Sequence, residues 1–354
     1  MNLVKLKNIT IKGYELCTPK FGGDIQYEHV YDYELIDILF KSILKLEKRK
    51  RKYKNDTVSI NLGSFKQSND ANIVEGYFIT ARHGRRQTQI DIDTQDEVGT
   101  IEKNHGVENK VYFAIDYRTG LLLVQEDFNK VFTRKLLHTF LHSHKELIYP
   151  YIDEYNKINN PNGLKIHKRS CYRLVNLKPI DFLEKLKEFR KIKSATLTLD
   201  STTEKKRVDV SKMLDSELET NGIDEYDLEI KIKNKSGRTM VSVFEKYFES
   251  IIEQQKYDSY AIEGELENGK QKKITPDTIT RDFFAQINHN TNGEPSMEDI
   301  FNEMTKIISK NNLLEGKSST PNSTMVGENK DVEMAIEERI SQRNEDTADQ
   351  QKTS

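Results

Sequence analysis

The sequence predicts a mixed α+β chain of two lobes, built on antiparallel sheets with helices and followed by a disordered acidic tail. Three observations lead to that reading. Alternating apolar and polar residues recur in paired short segments around Gly-containing turns, the pattern of β-hairpins. Between them lie stretches with apolar residues every three or four positions, the period of a helix with one buried face. After Leu314 the composition turns to Gly, Ser, Thr, Asn, Gln, Asp and Glu, too poor in apolar groups to offset the entropy of folding.

The elements follow in order. Leu3–Ile11 alternates and reads as a strand, and a Gly- and Pro-bearing loop covers Thr18–Asp24. From Tyr31 to Tyr53, residues Leu35, Ile36, Leu39, Phe40, Ile43, Leu44 and Leu46 share one helical face. The last turns of that helix are basic, with Lys45, Lys48, Arg49, Lys50, Arg51, Lys52 and Lys54, as the negative end of a helix dipole favours. Val58–Leu62 is a short strand. Val74–Arg82 and Gln87–Asp93 flank the turn His83-Gly84-Arg85-Arg86, and Lys110–Asp116 and Leu121–Glu126 flank Tyr117-Arg118-Thr119-Gly120, giving two hairpins. Asp127 suits the N-cap of a helix running to Ile148, with Phe128, Phe132, Leu136 and Phe140 in one row and Pro150 stopping it.

These elements form a first lobe over residues 1–158. The stretch Asn160-Pro161-Asn162-Gly163 is a turn-rich boundary. The second lobe, residues 164–290, has strands at Ser170–Leu177, Ser194–Leu199, Tyr226–Lys233 and Tyr257–Glu265, the last continued by Lys270–Ile274. Helices are expected at Pro179–Arg190 and Met240–Glu253, a polar insert at Thr202–Glu219 and a short helix at Pro276–Ile287. The order β-α-β-β-α-β is that of a ferredoxin-like unit. Residues 291–314 hold a C-terminal helix with Ile300, Met304, Ile307 and Ile308 in register, and residues 315–354 are the tail. Within it Val332, Ile336 and Ile340 are spaced by four, as in a transient helix or a short helix that docks on a partner.

Charge is distributed unevenly. From Glu315 to Ser354 there are nine Asp/Glu against five Lys/Arg, a net of −4, which leaves +2 on residues 1–314 of a chain whose total is −2. No apolar run approaches the roughly 20 residues needed to span a bilayer, and the N-terminus alternates without the continuous apolar stretch of a signal peptide. Cys17 and Cys171 lie far apart without a CxxC pair, which argues against a disulfide framework or a thiolate metal site. The expectation is a cytoplasmic protein that does not insert into membranes and needs no cofactor.

Three basic clusters stand out: Lys45–Lys54, then Arg82, His83, Arg85 and Arg86, then Lys165, His167, Lys168, Arg169 and Arg173 with the nearby Lys185, Lys187, Arg190, Lys191 and Lys193. Lys and Arg supply phosphate contacts, which give affinity without reading sequence. Such runs equally serve as solvated faces, and only spatial convergence separates the two readings. The candidate nucleic-acid contacts are Lys48, Arg49, Arg51, Lys52, Arg82, Arg85 and Arg86. His138 and His142 sit four apart, a metal-sharing spacing, but Thr139 stands where a metalloprotease would have Glu, and with His144 they also fit a polar helix face. Asp91 and Asp93, two apart on an expected strand, would face one side as a two-metal phosphoryl-transfer site requires, or simply face solvent. Neither a phosphate-binding Gly loop nor a nucleophile elbow occurs. Tyr14, Tyr27 and Tyr117 have the chemistry to stack on bases and the composition of ordinary half-buried residues.

Over residues 60–290 the chain runs through Val111–Asp116, the Gly turn, Leu121–Val124 and a long helix, then Tyr226–Lys233, a helix, Tyr260–Gly264 and a Lys-rich strand. This order of features resembles the RexA-type phage-exclusion proteins and the B component of the Kiwa defence system. It implies sequence-nonspecific DNA binding, oligomerisation and a role in abortive infection or phage sensing in bacteria. The expected partners are therefore nucleic acid, DNA first, an effector protein and a second copy in a homodimer, without catalysis by the chain itself. Two alternatives stand beside it: a Mg²⁺-dependent phosphoryl-transfer enzyme using Asp91 and Asp93, and a protein-interaction module acting through the tail helix.

Overall fold

The structure, a computed structural model, describes residues 5–22, 25–27, 30–159, 163–177, 186, 189–200, 227–235, 259–266, 269–275, 281–310, 313–314 and 329–345. Its strands are β1 (Lys5–Cys17), β2 (Lys20–Gly22), β3 (Ile25–Tyr27), β4 (Lys52–Lys54), β5 (Val58–Gln67), β6 (Ile73–Arg82), β7 (Gln87–Ile90), β8 (Glu97–Ile101), β9 (Asn109–Asp116), β10 (Leu121–Gln125), β11 (Arg173–Asn176), β12 (Phe189–Asp200), β13 (Asp227–Lys233), β14 (Ser259–Leu266), β15 (Gln271–Ile274) and β16 (Asp282–His289). Its helices are α1 (Tyr33–Lys45), α2 (Arg134–His142), α3 (Tyr149–Ile158), α4 (Met297–Lys310) and α5 (Lys330–Glu345), with a 3-10 turn at Lys145–Ile148. The architecture is α+β with antiparallel sheets. By contacts the chain forms two compact units, one of residues 1–22, 27–175 and 282–354, the other of residues 23–26 and 176–281.

The first unit is built on an eight-stranded sheet in the order β11-β1-β10-β9-β6-β5-β4, with β16 also paired to β1. The β9–β10 hairpin forms as its sequence dictates. Leu122–Val124 lie opposite Ile115–Phe113, and Gly120, with φ of 75°, closes the turn. One face of the sheet meets α1, where Phe40 stacks on Phe65 at 4.8 Å and Phe78 stacks on Phe113 at 4.6 Å. The opposite face carries α4, whose Phe301 meets Tyr112 edge-on at 5.7 Å.

Helix α1 ends eight residues before the expected Tyr53. Its apolar row stops at Leu46, and the Arg51 guanidinium donates to the Leu46 carbonyl at 2.8 and 3.1 Å, taking up an acceptor left open by the end of the helix. Continuing the helix would stack like charges one turn apart through residues 48–54. Those residues turn back instead, and Tyr53 pairs with Ile60 in the sheet. The N-cap of α2 is Thr133, whose hydroxyl accepts from the Leu136 amide at 3.1 Å. Asp127 is a buried acceptor for the Asn129, Val131 and Phe132 amides and for Thr80 and Asn109, and it fixes the preceding loop. Phe128, expected in the apolar row, is 88% exposed. Pro150 lies in the first turn of α3, so it begins a helix where a stop was expected, its missing N–H being tolerated there.

The second unit holds a four-stranded sheet in the order β13-β12-β14-β15, antiparallel throughout. The expected ferredoxin-like order differs here in its first strand. The strand taken as its first, within Ser170–Leu177, is β11 of the other sheet, and in the remaining four β12 pairs with both β13 and β14, and β15 pairs with β14. Strands β13 and β14 both run antiparallel to β12 and so parallel to each other on either side of it, as the two strands of a split βαβ unit do; the departure from the expected order is that β11 stands in the other sheet. Phe189 and Arg190 belong to β12 rather than to a helix. The residues of the expected helices at 179–185, 187–188 and 240–253, and the insert at 202–219, lie outside the described residues. The last part of the expected helix over 276–287 is strand β16, which returns to the first unit and pairs with β1 from Lys5–His289 to Lys12–Asp282. Alternation decides this, since Ala285, Ile287 and His289 are buried and Gln286 and Asn288 exposed.

Within the stretch expected to be disordered, residues 330–345 form α5, and Val332, Ile336 and Ile340 join the core of the first unit. The transient-helix reading is thus corrected: the stripe of four-residue spacing is buried in the chain itself. Replacing Ile336 or Ile340 by Ala should lower the stability of the first unit by about 2 kcal/mol each. Urea denaturation followed by circular dichroism reads this, and an unchanged midpoint would show that α5 does not contribute to the core.

Candidate nucleic-acid interface

The pairing of β4, β5 and β6 determines where the basic residues stand. Lys52 pairs with Asn61, Tyr53 with Ile60 and Lys54 with Ser59. Successive residues of a strand face opposite sides. Tyr53 therefore joins the core with Ile60, and Lys52 and Lys54 stand on the outer side with Asn61 and Ser59, both lysines exposed. The Asn61 side-chain Nδ2 donates to the Lys48 carbonyl at 3.3 Å, which holds Lys48 beside the same face. Two strands further along, Lys110 is paired with Ile79, and its Nζ lies 5.4 Å from the Tyr77 ring. That ring lies so close over Gly63 that a Cβ there would come within 2.1 Å of it.

At the end of β6 three loops meet. The His83 amide donates to Thr57 O at 2.9 Å, and the Gly84 amide donates to Lys103 O at 2.7 Å. Gly84 has φ of 95°, and a Cβ on it would lie 2.3 Å from Asp56 O, so no other residue fits this approach without displacing the loop. Arg85, Arg86 and Lys103 are thereby brought to the end of the sheet that carries Lys54. The expected hairpin between β6 and β7 is not formed. Strand β7 pairs with β8, and the two make a separate ribbon beyond this junction.

The seven residues singled out by sequence divide by what their side chains do. Lys48, Lys52 and Arg85 are exposed and make no ion pair or side-chain hydrogen bond among the described residues. Arg86 lies 3.6 Å from Glu102 with both side chains largely in solvent, and Arg49 lies 2.6 Å from Glu47 in a similar setting; such pairs hold weakly. Arg51 is engaged at the end of α1. Arg82 clasps the loop before α2 by donating to the Asn129 and Lys130 carbonyls, each at 3.2 Å. Sequence reasoning missed Lys103 and Lys110, which stand alone in the chain and join the group only through strand register; Lys54 lay in the basic run and was not singled out.

The other sequence candidates take structural places. Lys168 pairs with Asp153 at 2.7 Å, and His167 packs edge-on to Phe21 at 4.4 Å. Arg190 and Lys193 both reach Glu265, at 3.2 and 3.8 Å. Asp91 and Asp93 are not on a strand. They lie in the exposed turn between β7 and β8, where the Asp91 carboxylate accepts from the Asp93 and Thr94 amides, both at 2.9 Å, and these bonds hold its pKa below the usual range. Groups of three or more His, Cys, Asp or Glu that could hold a metal are absent among the described residues. Tyr14 is buried, and the Tyr117 hydroxyl donates to Asp37 at 2.5 Å, so neither is presented for stacking; the side chain of Tyr27 lies outside the description. No helix among the described residues is long and apolar enough to cross a membrane.

No protein-family model matches the chain, and no curated protein matches its sequence.

His144 is the histidine that the fold takes up. It is fully buried, with Nδ1 2.8 Å from the Phe140 carbonyl and Nε2 3.3 Å from the Lys50 carbonyl, so it ties the basic segment to the end of α2. Burial lowers its pKa from 6.5 to about 4. The neutral ring is the form the folded state prefers. Its contribution is complete above pH 6.5 and is lost as the pH falls to about 4, a change of about 3 kcal/mol. Urea midpoints at pH 7 and pH 4.5 should therefore differ more for the wild type than for His144→Asn. Equal differences would show that His144 does not titrate in this way.

Proposed function

We propose that this chain binds nucleic acid, DNA first, through phosphate contacts that do not read sequence, and that it has no chemistry of its own. The reading is supported by one observation. Lys48, Lys52, Lys54 and Lys110 on the outer side of the sheet, and Arg85, Arg86 and Lys103 at its end, are drawn together by strand register and by the loop junction at Gly84. Most of these side chains have no carboxylate within ion-pair distance among the described residues. Unpaired cations on one surface favour a polyanion, whereas cations solvated for solubility alone need no convergence. Tyr77, flanked by Lys110, adds a ring beside them.

The setting we propose is bacterial phage defence or abortive infection in the cytoplasm. It rests on the resemblance to the RexA-type and Kiwa proteins, in which nucleic-acid occupancy would be passed to an effector protein. A phosphoryl-transfer site at Asp91 and Asp93 has no supporting geometry, since the two carboxylates lie in a turn and Asp91 is taken up by backbone amides.

Replacing Lys54, Arg85 and Arg86 together by Ala should weaken binding to unrelated duplexes alike and reduce the salt slope by about 3. Fluorescence anisotropy with labelled DNA over a salt series measures both. Wild-type affinity and slope in the triple variant would exclude this surface.

A further inference from the structure

The ribbon formed by β7 and β8 plays no part in the nucleic-acid reading, and its chemistry runs against it. Residues 87–101 carry Asp91, Asp93, Asp96 and Glu97 and no Lys or Arg, a net charge of −4 that phosphates would repel. The ribbon is a two-stranded sheet of its own, hydrogen-bonded as strands only within itself. It also presents aliphatic side chains to water, with Ile90 at 45%, Ile92 at 77% and Val98 at 65% exposure. A two-stranded ribbon with open edges and apolar side chains in solvent is marginal alone and is built to be covered.

The same chain carries the complementary surface. Strand β4 is the last on its side of the eight-stranded sheet and has β5 as its strand neighbour. Residues 48–54 read Lys-Arg-Lys-Arg-Lys-Tyr-Lys, a net charge of +6. Lysines on an edge strand deter pairing with a neutral or basic strand. They do not deter a strand rich in carboxylates, whose charges favour the approach and set its register. Beside the edge, Tyr53 and Val58 are partly buried against the core and offer apolar surface to Ile92 and Val98.

We infer that the β7–β8 ribbon of one copy docks along the β4 edge of a second copy. Each copy has one ribbon and one edge, so reciprocal docking closes a two-fold pair without an open end. Backbone pairing supplies the contact, the aliphatic side chains are covered, and the opposed charges select this partner over others. The inference does not rest on the nucleic-acid reading. It shares Lys48, Lys52 and Lys54 with that reading but not Arg85 or Arg86.

The experiment is sedimentation velocity of the full chain, free of nucleic acid, over a concentration series at low and high salt. The wild type should show a reversible monomer–dimer equilibrium that weakens as salt screens the exposed charges. The arm variant Asp93→Lys/Asp96→Lys/Glu97→Lys and the edge variant Lys48→Glu/Lys52→Glu/Lys54→Glu should each be monomeric. Mixed in equal amounts they should pair, because each then meets the opposite charge at both contacts. Ile92→Ser/Val98→Ser, which leaves charge unchanged, should also weaken the pair, whereas Arg85→Ala/Arg86→Ala should leave it intact. A wild type that stays monomeric at every concentration overturns the inference. So does a dimer that survives in both charge variants, or a failure of two variants, each folded by circular dichroism, to pair when mixed. None of these outcomes bears on DNA binding through Arg85 and Arg86.

Discussion

The first unit depends on a buried ion pair. Lys20 has no exposed surface, and its ammonium lies 2.9 Å from Asp32 and 4.5 Å from the centre of the Tyr155 ring. Burial alone would lower the lysine pKa. The Asp32 charge and hydrogen bond, helped by Tyr155, more than offset this, so the pKa is raised and the cation persists. Asp32 has further duties. Its other oxygen accepts from the Leu35 amide at 3.2 Å as the N-cap of α1, and the Tyr151 hydroxyl of α3 approaches that oxygen at 3.1 Å. Its amide donates to the Thr18 hydroxyl at 3.2 Å. One carboxylate thereby positions the start of α1 against α3 and the chain after β1. Removing either charge would leave the other buried without a partner, which is far more destabilising than the pair is stabilising.

From that anchored start, α1 carries consequences to its other end. Its termination at Leu46 lets residues 48–54 turn back and supply β4. Helix α5 secures the same corner: Lys45 pairs with Glu337, the Glu47 amide donates to the Asn344 side chain at 3.0 Å, and Arg343 donates to the Ser143 carbonyl at the end of α2 at 2.7 Å. The basic segment is thus held between two helix ends, with His144 reaching its Lys50 carbonyl from below. A run of cations that repel one another is kept in one conformation by contacts from residues far along the chain. Such ordering supports the proposed phosphate contact, since little remains to be ordered on binding.

Charge in this chain is sorted by element rather than spread evenly, and the near-neutral total conceals this. The acidic residues of the C-terminal stretch are in part structural, as Glu337 shows. Those of the β7–β8 turn face solvent. The basic residues lie at an edge and a face of the sheet. Opposed charge on two elements of one chain is the complementarity on which the proposed contact between two copies draws.

The α+β class, the buried face of α1, the β9–β10 hairpin with its Gly120 turn and the register of α4 were legible in the sequence. Each is written in local periodicity or in a turn residue whose backbone demand is its own. The helix end at Lys45, the pairing of β7 with β8, the return of β16 to β1 and the burial of α5 were not. A period of two or of three to four residues tells which face of an element is apolar, and says nothing of what covers it. Residues 282–287 and 330–345 had apolar spacing that suited more than one fate, and partners near the other end of the chain decided between them. The candidate surface follows the same division. Sequence determined that the cations of residues 48–54 and 82–86 exist. Only tertiary structure decided that Arg51 and Arg82 serve backbone carbonyls, and that Lys103 and Lys110 stand with the rest, because hydrogen-bond register and loop junctions join residues that sequence keeps apart.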